Sequence, residues 1–183
     1  MDYLEERLSG EEKYKGIIVN VYMDKARLWD NSVVKREVVD HPGGVTVLPV
    51  DKNGACYMVR QFRYPMQKMM LEAPAGKLER GENALECAKR ELSEETGFTA
   101  DKYIDLGKIC TSPGYSTELL HIYLALGLHE GLSHPDEGEF LNVEKLPIDE
   151  LEARIMENEI DDAKTVIAVM KAKKYLDTHP EDR

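Results

Sequence analysis

The stretch Gly76–Phe98, GKLERGENALECAKRELSEETGF, constrains this chain more than any other part of it. Gly76 is followed by Glu82 and then, after seven further residues, by Arg90-Glu91-Leu92-Ser93-Glu94-Glu95-Thr96-Gly97-Phe98. Five carboxylates, Glu79, Glu82, Glu91, Glu94 and Glu95, crowd around one short helical segment. Like charges at helical spacing each cost ~0.2–0.5 kcal/mol. A fold accommodates such a cluster most readily around a cation. Oxygen-only donors suit a hard ion, Mg2+ or Mn2+, rather than zinc.

The segment carries its own helix signals. Asn83 is a good N-cap, and Glu86 three positions on predicts a capping box. Gly97 suits the left-handed residue that ends a helix. Ala84, Leu85, Ala88 and Leu92 recur at spacings of three and four and predict the buried stripe. Glu91 and Glu95, four apart, share a face suited to divalent ions. Arg90 lies between Glu86 and Glu94 in a second such row and is placed to pair on both sides. Gly76 belongs to a loop that must approach the helix closely, where a Cβ would obstruct. The carbonyl of Ala75 is a candidate extra metal ligand. Glu82 reads either as a brace for the loop and Arg90 or as a metal contact. Glu94 reads either as a metal ligand or as a partner of Arg90, and Glu79 as a solvated loop charge.

Composition narrows the function classes. The 183 residues suffice for one domain with a real core and a small appendage. A net charge of −11 disfavours nucleic acid or an anionic membrane as partner. An anionic substrate would need bound metal to reverse the sign locally. No apolar run is long enough to span a membrane, and no signal peptide or lipidation motif is present. Cys56, Cys87 and Cys110 lack C-x-x-C spacing and read as buried thiols of a reducing, cytoplasmic compartment.

Along the chain, residues 1–13 read as a charged, mobile start. Tyr14–Met23, Ala26–Trp29 and Val33–Val39 read as a small antiparallel unit, too small to stand alone. His41-Pro42-Gly43-Gly44 separates this unit, residues 1–41, from the main domain, residues 42–183. Val45–Val50 and Ala55–Phe62 flank Asp51-Lys52-Asn53-Gly54 as a hairpin. Lys68–Glu72, Tyr103–Thr111, Glu118–Leu126 and Phe140–Val143 complete the strands. Ile148–Glu157 and Ala163–Leu176 are helices, the second with Val166, Ile167, Val169 and Met170 as its core face. The expected class is α+β, a mixed sheet between helices.

The glycine, arginine and glutamates quoted above resemble the Nudix box, Gly-x5-Glu-x7-Arg-Glu-U-x-Glu-Glu-x-Gly-U with U a bulky apolar residue. Gly76, Glu82, Arg90, Glu91, Leu92, Glu94, Glu95, Gly97 and Phe98 fill every specified position. The resemblance implies the Nudix fold and a Mg2+-dependent hydrolase of nucleoside diphosphates linked to another group, with Mn2+ as a possible substitute. Pro113, 16 residues past Gly97, resembles the marker of the ADP-ribose pyrophosphatase branch. So do Leu71–Glu79, Gln61–Pro65, Ser112-Pro113-Gly114 and Lys35–Gly43, which extends the resemblance over nearly the whole chain.

That resemblance implies hydrolysis of ADP-ribose to AMP and ribose 5-phosphate. Glu91, Glu95, the Ala75 carbonyl and Glu139 would hold the ions, with Glu94 a further candidate. Glu137, in the acidic run Asp136–Glu139, would be the general base. Arg63 is a candidate for the diphosphate, Glu72 and Glu118 for ribose hydroxyls, and Pro113 and Gly114 for the substrate-side turn. Tyr22, Tyr64 and Tyr115 are candidates for stacking on adenine or for packing. The N-terminal unit resembles the element that crosses to a partner in this branch, which implies a homodimer. Two alternatives stand beside this reading: hydrolysis of another nucleotide sugar, and a non-catalytic ADP-ribose sensor.

Overall fold

The computed structural model describes residues 3–134 and 140–182. The chain divides into two units: Met1–Gly43 with Cys110–Leu119, and Gly44–Ile109 with Leu120–Arg183.

In the first unit, β1 (Glu6–Lys15), β2 (Asn20–Arg27) and β3 (Val33–Asp40) form an antiparallel sheet in chain order. Here the structure departs from the mobile start expected. The charged start is a strand, exposed along its whole length. Its charges are answered across the sheet: Arg7 grips Asp24 through two bonds of 2.6 and 2.9 Å, and Arg27 pairs with Glu6. Cross-strand pairs of this kind support a strand that composition reads as a solvated tail. Tyr14–Met23 is not one strand, because a turn closed by Gly16 N–H to the Val19 carbonyl splits it. Nor is Ala26–Trp29 separate: β2 runs to Arg27, and the chain reverses over Leu28–Ser32 with Asn31 left-handed at φ 66°. The non-local segment Cys110–Leu119 joins this unit through Val39 N–H to the Tyr115 carbonyl and Thr117 N–H to the Val39 carbonyl.

The second unit continues with β4 (Gly44–Pro49), β5 (Ala55–Arg63), β6 (Lys68–Glu72), β7 (Ala75–Lys77), α1 (Ala84–Thr96), β8 (Phe98–Cys110), β9 (Leu119–Glu130), β10 (Asn142–Pro147), α2 (Ile148–Met156) and α3 (Ala163–Thr178). A four-stranded sheet runs β7-β4-β9-β8 and a three-stranded one β10-β5-β6. β4 lies parallel to β9 and antiparallel to β7, so the first of these sheets is mixed. Every residue of β4 is buried, as expected of a central strand covered on both faces.

Strand alternation sorts the core into two layers. Val45, Val47, Tyr123 and Ala125 pack with Cys87, Ala88 and Leu92 of α1. Leu48, Ile122 and Leu124 pack with Leu151 and Ile155 of α2 and Ala168, Val169 and Ala172 of α3. The mixed sheet therefore lies between helices, the α+β architecture expected.

Three local expectations fail. The Asp51–Gly54 turn forms, with Gly54 N–H bonded to the Asp51 carbonyl, but it is not a hairpin turn. Beyond an isolated Val50–Cys56 bridge the flanking strands part into different sheets, because β4 finds β7 and β9 as partners. In α3 Val169 is buried and Val166 and Ile167 pack half-buried against the core as expected, but Met170 is exposed and Thr165, Ala168, Ala172 and Leu176 complete the buried face. Cys56 and Cys87 are buried, but Cys110, at the end of β8, is exposed.

Candidate active site

The site begins where β6 hands over to β7. The carbonyl of Pro74 accepts from Val47 N–H at 2.9 Å and from the buried Thr46 hydroxyl at 3.1 Å. Ala73 N–H donates to the hydroxyl of Thr165 in α3 at 2.8 Å, and Ala75 N–H donates to Glu95 Oε2 in α1 at 3.0 Å. Gly76 follows with no side chain, and Glu91 occupies the space. A Cβ placed on Gly76 would lie 1.8 Å from Glu91 Oε1 and 2.3 Å from Oε2. The shared face of Glu91 and Glu95 is thus laid against the backbone of Ala75 and Gly76.

α1 holds these carboxylates because its ends are well defined. Asn83 accepts from Leu85 N–H at 2.9 Å, and Gly97, left-handed at φ 77°, closes the helix with its N–H on the Ser93 carbonyl. The capping box does not close as expected: Glu86 pairs with Lys89 instead. Gly97 has a second role. The chain leaving β9 crosses it so closely that a Cβ would lie 2.8 Å from Ser133 N, and His134 N–H donates to the Glu94 carbonyl.

Arg90 is the hub of the acidic cluster. Its Nε and Nη2 grip Glu82 at 3.0 and 3.1 Å, and its Nη1 donates to Glu91 at 2.8 Å and Glu94 at 2.9 Å. The bond to Glu82 raises the Arg90 pKa above its ordinary value, and the Glu91 charge adds to this. The same bond lowers Glu82 to about 2, helped by the Glu79 N–H that Glu82 accepts at 2.9 Å. Glu82 therefore braces both the loop and Arg90, and Glu94 faces Arg90. Cys87 Sγ also receives Arg90 Nη2 at 3.3 Å, and burial pushes this thiol up to about 12.

Arg63 and Glu72 form a bidentate pair with bonds of 2.7 and 2.6 Å. Glu72 is only 1% exposed and also receives Lys164 Nζ from the first turn of α3. Burial pushes the Glu72 pKa up, but the Arg63 bond and the Lys164 charge outweigh it and hold the carboxyl below its ordinary value. The Glu72 bond raises the Arg63 pKa above its ordinary value, with a small further contribution from the charge of Glu95. The reach of Lys164 and Thr165 to Glu72 and Ala73 is invisible in the sequence. Asp162 is legible as an N-cap, but Glu72 and Lys164 are 92 residues apart.

Among the described residues no group of three or more His, Cys, Asp or Glu side chains is set for a metal ion. The donor chemistry nevertheless fits one. One guanidinium bridges three of four clustered carboxylates, so negative charge is left in excess. Glu91 and Glu95, brought together at the Ala75–Gly76 backbone, offer only oxygen, as a hard divalent ion prefers.

Pro113 and Gly114 sit in a turn of the first unit that is closed by Tyr115 and Ser116 N–H on the Ser112 carbonyl. Glu118, in the same unit, accepts from the Thr111 hydroxyl at 2.6 Å and lies 3.5 Å from His41 Nδ1. Tyr64 and Tyr115 are exposed, and Tyr22 is half-buried. Glu137 and Glu139 lie outside the described residues.

A helix whose paired glutamates rest against the Ala75–Gly76 backbone, packed on a mixed sheet that lies between helices, defines the class of domain. The chain belongs to the NUDIX domain family, whose model matches residues 40–168. It is 39% identical over 172 residues to the ADP-ribose pyrophosphatase of Bacillus subtilis (strain 168), which covers 92% of this chain and 93% of that protein. It is 40% identical over 167 residues to the methanol dehydrogenase activator of Bacillus methanolicus, with 90% of each chain covered. A crystal structure of an ADP compounds hydrolase shares the fold, with a TM-score of 0.82 at 22% identity over 96% of this chain and 95% of that one.

Proposed function

We propose that this protein hydrolyses the pyrophosphate bond of ADP-ribose, giving AMP and ribose 5-phosphate, with Mg2+ as its cofactor and Mn2+ as a substitute. The observation that carries the reading is the convergence of Glu91 and Glu95 on the Ala75–Gly76 backbone. The 39% identity to a protein named ADP-ribose pyrophosphatase supports the substrate.

In this reading Glu91, Glu95 and the Ala75 carbonyl hold the metal. When bound, such an ion offsets the charge of a diphosphate and makes water a stronger acid. Arg90 keeps Glu82, Glu91 and Glu94 from repelling one another and fixes the pitch of Glu91. Arg63, oriented by Glu72, turns its remaining edge to the diphosphate. Glu137 as base and Glu139 as further ligand rest on the sequence resemblance, as do Glu118, Pro113 and Gly114 on the substrate side. Positioning and charge neutralisation then supply most of the rate, and no covalent nucleophile is needed.

We also propose a cytoplasmic homodimer with residues 1–41 as its pairing unit. Exposed Tyr3, Leu4, Leu8, Trp29 and Val33 in that unit support it. No described helix is long and apolar enough to cross a membrane.

The test is hydrolysis of a panel of ADP-sugars, GDP-sugars and other nucleoside diphosphates with Mg2+, using Glu95→Gln as control. Fastest release of AMP from ADP-ribose, nearly lost in the variant, is the expected result. Faster turnover of another compound would overturn the substrate, and binding of ADP-ribose without turnover would make the protein a sensor. The likeness to a methanol dehydrogenase activator favours a second reading, that the chain serves a dehydrogenase; stimulation of a dehydrogenase by the Glu95→Gln variant would favour it over hydrolysis.

A further inference from the structure

Four successive residues leading to the site, Glu72 to Ala75, are tied to β4, α1 and α3 of the second unit. Pro74 is tied to β4 and Ala75 to α1. The other two are tied to the first turn of α3. Lys164 Nζ bonds both Glu72 Oε2 and Asp162 Oδ2. The Thr165 hydroxyl donates to Asp162 Oδ2 at 2.6 Å, and Thr165 N–H reaches the same oxygen at 3.1 Å. A hydroxyl has one proton. Its commitment to Asp162 leaves the oxygen to accept Ala73 N–H at 2.8 Å. Thr165 is fully buried and Glu72 nearly so, and no water is needed to complete the arrangement.

We propose that Lys164 and Thr165 are positioning residues for hydrolysis: Lys164 acts through Glu72 on Arg63, and Thr165 acts through Ala73 on the Ala75 backbone. The inference rests on the assignment of Arg63 to the diphosphate and Ala75 to the metal.

The chemistry separates their effects. Glu72 faces two cations, Arg63 and Lys164, so Arg63 does not have to neutralise the carboxylate alone. Without Lys164 the Glu72 carboxylate balances Arg63 alone, and the guanidinium is a weaker partner for an anion. Asp162 draws on Lys164 as well, so it sets how much of the ammonium charge Glu72 receives. Thr165 carries no charge. Its loss strands the Ala73 N–H, and the backbone two residues before Ala75 is released from α3. One residue therefore bears on substrate affinity and the other on metal affinity and turnover.

The experiment compares the full chain with Lys164→Met, Lys164→Arg, Thr165→Val and Thr165→Ser. It reads kcat and KM for ADP-ribose, the Mn2+ affinity without substrate by electron paramagnetic resonance of the free ion, and folding by circular dichroism. Lys164→Met is expected to raise KM on the order of tenfold with kcat nearly unchanged, and Lys164→Arg to restore it. Thr165→Val is expected to weaken Mn2+ binding about tenfold and to lower kcat, and Thr165→Ser to restore both. Folded variants with wild-type KM and Mn2+ affinity would overturn the proposal and leave α3 a purely structural role. If Thr165→Val does not fold, Lys164→Met decides by its KM. If the wild-type chain does not cleave ADP-ribose, the functional reading fails separately, and the Mn2+ titration of Thr165→Val still decides the positioning role.

Discussion

Gly76→Ala separates the chemistry of this site from its stability. Gly76 is not among the glycines with positive φ, so alanine fits its backbone. The obstacle is one side chain: the new Cβ would lie 1.8 Å from Glu91 Oε1 and 1.9 Å from its Cδ. Non-bonded atoms settle at roughly 3.5 Å, so the carboxylate must retreat by about 1.5 Å. It is the far end of a flexible side chain held by Arg90, and its retreat breaks that contact while leaving Val45 and Leu92 in place. Alanine for glycine at a permitted backbone conformation gains ~0.4–1 kcal/mol through the unfolded state. That gain roughly offsets the loss of the Arg90–Glu91 contact, so the melting temperature should stay within about 3 °C of wild type. Displacing a catalytic group by 1 Å or more costs on the order of 100-fold in rate, or about 2.7 kcal/mol of barrier. The assay is steady-state hydrolysis of ADP-ribose across a Mg2+ titration, with thermal melts in parallel. The expected result is a large fall in kcat and a higher metal requirement in a normally stable protein. A variant with wild-type kcat and metal requirement would refute the placement of Glu91. A collapse of the melting temperature would show that Gly76 serves packing rather than the carboxylate.

Two further perturbations test the frame around the helix. Gly54→Ala and Gly97→Ala place alanine at nearly the same left-handed φ, 76° and 77°, but only Gly97 has backbone atoms of residues 131–133 within about 3 Å of the new Cβ. Gly54→Ala should cost about 1–2 kcal/mol and Gly97→Ala at least ~1 kcal/mol more in urea unfolding; equal costs would mean that the crossing at Gly97 is not tight. The depressed pKa of Glu82, about 2 against an ordinary 4.5, sets an acid dependence. The folded value lies below the unfolded one, so its stabilisation is complete above about pH 4.5 and is lost as pH falls toward 2. With allowance for solvent screening this amounts to on the order of 1–2 kcal/mol. The gap in urea midpoint between wild type and Glu82→Gln should be widest at pH 6 and narrow at pH 3, whereas a gap independent of pH would exclude Glu82 as the titrating group.

The parts of this protein legible in its sequence are those governed by short-range geometry. Helical periodicity alone puts Glu91 and Glu95 on one face. Asn83 and Gly97 mark the ends of α1 because capping is a matter of the nearest backbone groups. The bareness of Gly76 was legible as a close approach. Where several partners compete, local reasoning failed: Glu86 fits a capping box but finds Lys89, and the Asp51–Gly54 turn fits a hairpin but joins strands of different sheets. The charged start, residues 1–13, reads as mobile, yet Asp24 and other cross-strand charges make Glu6–Lys15 a strand.

By itself the sequence determined the box helix, its caps, its acidic face and the alternation of strands and helices, because each depends on residues a few positions apart. Only the tertiary structure decided that Glu95 would hold Ala75 N–H, that Arg63 would be clasped by Glu72, and that Lys164 and Thr165 would reach that segment from α3. Those contacts join residues 9 to 92 positions apart. No periodicity links such positions. The strand pairings and the packing of the helices on the sheet bring them together, and buried groups such as Glu72 and the Ala73 N–H take the partners that packing supplies.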